Sequence, residues 1–162
     1  MKIALCGNIG SGKSTVASEL SQKDYYLLSY TELIKNEVAR AMTATQVTAS
    51  EKEALEKIHT QKEFYRPLLV AWADTCGWSD GKQLTKILPT LSAENIVMDN
   101  IRFLAQAHIV KQNGFLIFKL SGGDRMDIPE LADFPFDAVI PWMENVEERI
   151  QYILDYLKKL GK

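Results

Sequence analysis

Residues 7–15 read Gly-Asn-Ile-Gly-Ser-Gly-Lys-Ser-Thr, a stretch that mixes three glycines with one ammonium group and adjacent hydroxyls. Gly7, Gly12, Lys13 and Ser14 fit the spacing G-x-x-x-x-G-K-[ST] of a phosphate-binding P-loop. The chemistry follows from the residue types. Glycine admits positive φ angles that a Cβ atom penalises, so the backbone of Gly7, Asn8, Ile9, Gly10, Ser11 and Gly12 can wrap a polyphosphate and aim N–H groups at it. A helix starting at about Lys13 adds free amides and the positive end of its dipole. Lys13 is expected to pair with β- and γ-phosphate oxygens, and Ser14 to ligate the Mg2+ that accompanies ATP. Thr15 is expected to place a hydroxyl near the α-phosphate. A glycine-rich turn of this pattern should arise by chance in well under about 1% of chains this long.

Other residues could complete the chemistry. Asp99 ends the apolar run Asn-Ile-Val-Met-Asp and is read as a carboxylate serving Mg2+, against the alternative that it only caps the next turn. The arginines are Arg40, Arg66, Arg102, Arg125 and Arg149. Arg102, just past Asp99, is expected to point across the phosphates. Arg125 lies where a closing lid would approach the triphosphate, and Arg66 is placed to clamp an acceptor phosphate bidentately. Arg40 and Arg149 read as solvated charges. His59 and His108 have no second ligand at metal spacing and read as packing or surface residues. Trp72, Trp78 and Trp142 read as core or interface, and Tyr30 as the aromatic that would stack on an acceptor base.

To bring these residues to one place the chain needs a parallel sheet, and short apolar runs alternating with helical stretches predict one. Strands are expected at about 2–7, 25–29, 95–99, 115–120 and 137–141. Right-handed crossovers leave one mouth at the carboxyl ends of such strands, where Gly7, Ser29 and Asp99 all fall. Residues 30–93 read as a mostly helical insertion able to hold an acceptor. Within it Ser50 and Glu53 form a capping-box pattern, Leu55, Ile58, Tyr65, Leu69 and Trp72 recur on one face, and Pro67 is expected to kink the helix or start a new one. Residues 43–50 read as a loop and 121–136 as a short lid loop. A last helix at about 144–160 carries Val146, Ile150, Ile153, Leu154 and Leu157 as its core stripe.

The 162 residues read as a single domain over 1–162, with a formal net charge of −2 and 46% hydrophobic residues. That balance is globular and lacks the basic footprint of a polynucleotide binder, so small phosphorylated substrates suit it better than nucleic acid. Cys6 and Cys76 form no close metal-ligand pair; Cys6 is expected in the core, and a reducing, cytoplasmic setting is the simplest reading. No apolar run approaches a membrane span and residues 1–10 lack the form of a signal peptide. Three uses of a P-loop compete. The third strand ends Val-Met-Asp-Asn, without the acidic residue a hydrolytic ATPase places beside its Mg2+ aspartate, and no N-K-x-D segment reads guanine as in a GTPase switch. A small-molecule kinase fits best.

The segments Gly7–Thr15, Ser-Tyr-Thr-Glu-Leu-Ile-Lys (29–35) and Asn-Ile-Val-Met-Asp-Asn-Ile-Arg-Phe (95–103) together resemble the phage-type deoxynucleoside monophosphate kinases, in order and spacing across roughly residues 1–120. Those enzymes run P-loop, then S-F-A-D-x-L-K, then a strand ending D-V-R-F. The resemblance implies a P-loop kinase-like three-layer α/β/α fold with a five-stranded parallel sheet and a helical acceptor-binding insertion. It sets Ser29, Tyr30 and Lys35 around the acceptor nucleotide, and Arg66, in a segment similar to R-x-L-L-Q, on an acceptor-side arginine. In this chain Asn100 stands where that pattern has its aspartate, Val70 replaces the glutamine near the base, Glu32 replaces an aspartate, and the lid offers Arg125 alone.

The expectation is therefore transfer of the γ-phosphoryl group of ATP, with Mg2+, to a (deoxy)nucleoside monophosphate. Lys13, Asp99, Arg102 and Arg125 would be catalytic, Ser14 and Asp99 would manage the metal, and Ser29, Tyr30, Lys35 and Arg66 would hold the acceptor. The partners expected are small nucleotides, with a homodimer left open, in the cytoplasm, or the host cytoplasm for a phage-encoded chain. The alternatives are a kinase for a dephospho-coenzyme A or nucleoside hydroxyl, with Glu32 or Asp99 as base, and a non-catalytic nucleotide-binding regulator.

Overall fold

β1 (Lys2–Gly7), β2 (Tyr26–Ser29), β3 (Ile96–Ile101), β4 (Leu116–Leu120) and β5 (Ala138–Ile140) pair in the order β2-β3-β1-β4-β5, every neighbour parallel. The computed structural model describes residues 1–123 and 131–161. Strands buried on both faces need continuous apolar runs, and alternation then sorts side chains between two layers. Ile3 and Leu5 of β1 join Val97, Phe118 and Ile140 in one core, with Val16, Ala17 and Leu20 of α1 (Lys13–Ser21) and Ile150, Ile153 and Leu157 of α7 (Val146–Lys159). Ala4 and Cys6 face the other way, with Leu28, Ile96, Met98 and Ile117, against α2 (Tyr30–Ala44), α5 (Lys82–Ile87) and α6 (Leu104–Gln112). A helical layer thus lies on each side of the sheet, compatible with the three-layer α/β/α arrangement. Cys6 is buried, as expected, and neither cysteine takes part in a disulfide.

β1 is central. The chain leaves it through α1 toward β2 on one side and returns through β3 and α6 to β4 on the other, so the connections after β1 and β3 diverge at the carboxyl edge. Crevices of this kind are where open parallel sheets bind ligands. The β3 edge is also irregular. Ala4 pairs with Met98 but Cys6 pairs with Ile101, so β3 carries an extra residue, and Asn100 takes a φ of 66°. Such a bulge re-aims side chains at a strand end.

Beyond α2, the region 30–93 folds as α3 (Glu51–Thr60), α4 (Lys62–Thr75), α5 and a 3-10 turn at Leu88–Thr90. α2 runs through Ala44, so it takes in the start of the stretch read as a loop from residue 43. Pro67 does not start a new helix. The break lies at Gln61 (φ −114°, ψ 42°), and Pro67 sits inside α4. Packing explains this: Ala54 and Ile58 of α3 and Tyr65, Leu69 and Trp72 of α4 all fold onto Val38, Ala39 and Met42 of α2. α2 is 15 residues long, or about 22 Å at 1.5 Å per residue, too short for one straight helix over 51–75 to lie along it. Ser50 caps α3 by accepting the Glu53 N–H at 3.2 Å, while the Glu53 carboxylate reaches back to the Ala49 N–H at 3.0 Å. In the region read as a lid loop, Leu131 and Phe134 are buried in the core. Among the described residues no helix is long and apolar enough to cross a membrane.

Candidate functional site

The loop between β1 and α1 is held open by its glycines and pinned by its lysine. A Cβ on Gly7 (φ 141°) would come within 2.5 Å of the Leu120 carbonyl oxygen, and one on Gly12 (φ 83°) within 2.9 Å of an Arg149 nitrogen. Both positions are closed to larger residues. Gly12 caps α1 with no side-chain hydrogen bond, and the first turn of α1 holds no acidic residue. The leading amides of a helix have no partner within it, so these are left for an external acceptor. Ile9, Gly10, Ser14 and Thr15 are exposed while Ser11 is fully buried. Asn8 carries the one buried side-chain oxygen without a partner among the described residues.

Lys13 folds back over the loop. Its Nζ donates to the carbonyls of Gly7 at 2.8 Å and Asn8 at 2.7 Å, with Ser11 Oγ at 3.5 Å. Burial, and then the nearby charge of Arg102, lowers its pKa from the ordinary lysine value. Asp99 lies close enough to favour the ammonium electrostatically. Its carboxylate accepts from Ser29 Oγ at 3.2 Å and from the Tyr30 N–H at 3.1 Å. Burial raises the Asp99 pKa against those two hydrogen bonds, with Glu32 adding to the rise and Lys13 opposing it. Asp99 therefore does cap the start of α2, and its charge also reaches Lys13.

Arg102 is exposed over the mouth, with Nε donating to Asn100 Oδ1 at 2.9 Å, and Asn100 in turn donates to Thr31 Oγ1 at 3.0 Å. Desolvation, and then the charge of Arg66, lowers the Arg102 pKa. Arg66 pairs with Glu63 at 3.0 Å. Lys13, Arg102 and Arg66 thus form a line of cations, each felt by the next, running from the glycine loop to the insertion. Lys35 is buried and tied to Glu32 at 2.6 Å, and Glu32 also meets His59 at 3.3 Å. Arg125 lies outside the described residues.

Two sequence readings are corrected by this geometry. The Tyr30 ring offers no face to a base: it is 5% exposed, sits edge-on to Trp78 at 5.1 Å, and its hydroxyl donates to the Trp78 carbonyl. A phenol flanked by apolar strands finds its partner inward. Arg149 is not solvated. It is 4% exposed, and its guanidinium reaches the glycine loop. Sequence reasoning also passed over Gln106, fully buried, whose side-chain oxygen accepts from the N–H groups of Arg102 at 3.0 Å and Phe103 at 3.2 Å. Its amide nitrogen donates to Tyr30 Oη at 2.5 Å and to the Trp78 carbonyl at 2.9 Å. Gln106 thereby joins the Arg102 backbone to the start of α2. The one signal for it is a polar residue on the apolar side of a short helix.

No family model and no curated protein matches this chain. Among the described residues no group of three or more His, Cys, Asp or Glu side chains gathers as a metal cage. The donor set beside the loop, one carboxylate and one exposed serine hydroxyl, suits Mg2+ that takes its remaining oxygens from phosphate and water.

Proposed function

We propose that the protein transfers the γ-phosphoryl group of ATP to a nucleoside monophosphate, a deoxynucleotide by the resemblance of its segments. The observation that carries the reading is the line of cations Lys13–Arg102–Arg66 leading away from an uncapped, acid-free helix start. Burial first, and then a neighbouring cation, lowers the pKa of both Lys13 and Arg102, a cost that anions would relieve, and two phosphate groups placed end to end would meet all three cations. On this reading the loop amides and Lys13 hold the donor, Arg102 spans the reacting phosphates, and Arg66 holds the acceptor. Ser14 and Asp99 would hold Mg2+, which supplies charge neutralisation across the β- and γ-phosphates. Lys13 would release the Gly7 and Asn8 carbonyls to reach the triphosphate.

An acceptor phosphate oxygen attacks the γ-phosphorus, and the bond from that phosphorus to the β–γ bridging oxygen breaks, leaving ADP and a nucleoside diphosphate. The nucleophile is already anionic, so no general base is required. This favours a phosphate over a hydroxyl acceptor, because neither carboxylate that could act as base is spare: Glu32 is tied to Lys35 and His59, and Asp99 would be committed to Mg2+. The test is ADP release in a coupled assay over a panel of ribo- and deoxynucleoside monophosphates, nucleosides and dephospho-coenzyme A. Turnover with a monophosphate and none with the hydroxyl acceptors is expected. ATP binding without turnover on any acceptor would favour a regulator, and undiminished activity in Lys13→Ala would sink the assignment.

A further inference from the structure

Arg149 is a buried cation that the proposed reaction has not used. It sits in the first turns of α7, yet its guanidinium turns back. Nη1 donates to the Ser11 carbonyl at 2.7 Å, and Nε donates to the Met143 carbonyl at 2.8 Å. Its flat face lies over the Trp142 ring at 3.9 Å. Among the described residues no carboxylate comes within ion-pair range, so its charge is directed at the glycine loop and the indole. A guanidinium is always charged and presents its donors in a rigid fork, which makes it suited to fixing the direction of a carbonyl.

The carbonyl it fixes belongs to the Ser11–Gly12 peptide. No peptide in the described chain is cis. In a trans peptide the C=O and N–H point in opposite directions, so a carbonyl held against Arg149 sends the Gly12 N–H the other way, into the concave side of the loop. Gly12 lies in left-handed space and has no Cβ, so this peptide is one that could rotate easily; turned over, it would present an oxygen where an anion is meant to bind. A cation on the oxygen also polarises the peptide and makes its N–H a better donor. The fit is close, because Gly12 is the residue whose Cβ would collide with the guanidinium.

We infer that Arg149 is a positioning residue that locks the Ser11–Gly12 peptide with its carbonyl outward, so that the Gly12 N–H is presented to the donor's phosphates. The inference rests on the phosphoryl-transfer reading for its ligand but not for the lock. Trp142 is the support: its ring is approached closely by Gly122, which leaves room for no Cβ there, and the guanidinium lying over the indole keeps the fork aimed.

The experiment compares wild type with Arg149→Met, Arg149→Lys and Trp142→Phe, each confirmed folded by its melting temperature and assayed well below it. Calorimetry measures affinity for Mg·ATP and for inorganic tripolyphosphate, and the Gly12 amide is followed by NMR with and without each probe. Arg149→Met is expected to weaken both probes by a similar factor, roughly ten- to a hundredfold, the size of a hydrogen bond to a charged group. Its Gly12 amide should already be displaced in the ligand-free protein. Arg149→Lys should recover part of the affinity and Trp142→Phe should lose only a little. The KM for ATP should rise while the KM for the acceptor stays level. If wild type binds both probes and Arg149→Met binds them equally well, with Gly12 unshifted, this inference alone is overturned. If wild type binds neither probe, the phosphoryl-transfer reading falls and takes the inference with it.

Discussion

α1 and α3 begin with opposite chemistry. α3 opens on Ser50, whose hydroxyl takes the Glu53 N–H, and its first turn holds Glu51 and Glu53. α2 and α7 open in the same way, on Ser29 and Asn145 with glutamates close behind. Their free amides are met from within and their dipoles are balanced by acidic side chains. α1 opens on Gly12 with neither cap nor acid, and two buried cations, Lys13 and Arg149, bond to the carbonyls of the loop that leads into it. The same contrast extends outward. The insertion is built from regular helices with local ion pairs and an apolar seam of its own. The mouth joins left-handed glycines and Asn100, a strand bulge and buried charges whose pKa values are displaced by burial. Local strain and buried charge cost stability, and at the mouth the two coincide, in Asn100 and in Lys13 and Asp99. The difference separates a helix start whose amides are met by its own side chains from one whose amides are not, which is what the proposed anionic substrate requires.

The sharpest way to break this contrast is Lys13→Ala. If the mouth serves an anion, kcat should fall on the order of 10^2 to 10^3-fold, the scale of losing one charge-stabilising donor in a transition state. Circular dichroism should stay that of wild type, and the coupled assay reads the rate. In the insertion the balance should invert. Ile58→Ala removes a fully buried side chain from the seam between α2 and α3 and should cost about 2–5 kcal/mol in urea unfolding, a core-truncation effect, while affinity for ATP is kept. A loss of ATP affinity larger than the loss of acceptor affinity would mean the two regions are not separate.

Arg66→Ala probes the boundary between them. Its expected signature is a rise in acceptor KM of about ten- to a hundredfold with ATP KM unchanged, since only the far end of the cation line is lost. Asp99→Asn should give the smallest and most diagnostic change. The Asp99 pKa is raised in the fold, so the folded state holds its proton more tightly than the unfolded chain, and the stabilising contribution present at low pH is lost as pH rises through the folded value. The amide should therefore melt higher than wild type at pH 7, and the gap should close as pH drops toward the range of an ordinary carboxylate. Activity should fall at the same time. A variant both less stable and fully active would make Asp99 a cap and nothing more.

All five strands were legible because a β-strand in a parallel sheet is a short apolar run, and each was placed within two residues of its observed ends. The α7 stripe read correctly for the same reason, since a 3.6-residue period shows in a single helix. The break at Gln61 was not legible. Proline is the local signal for a broken helix, but the break answers to the length of α2, a distant partner. Strand position places the Cα of Tyr30 at the mouth but does not give the direction of its ring, which turns inward to Trp78. Arg149 was read as solvated because a charge near a helix start normally faces water, and only the packing of α7 beside α1 brings it to Ser11.

The periodicities, the alternation of strands and helices that follows from them and the glycine-rich loop at the end of the first strand are all written in the sequence. These are local properties, written within a few residues. The tertiary structure decided which side chains turned inward, which carbonyl Arg149 holds, and how Gln106 ties Arg102 to α2. Each of those contacts joins residues far apart in the chain, and a hydrogen bond across such a distance depends on the packing of everything between its ends.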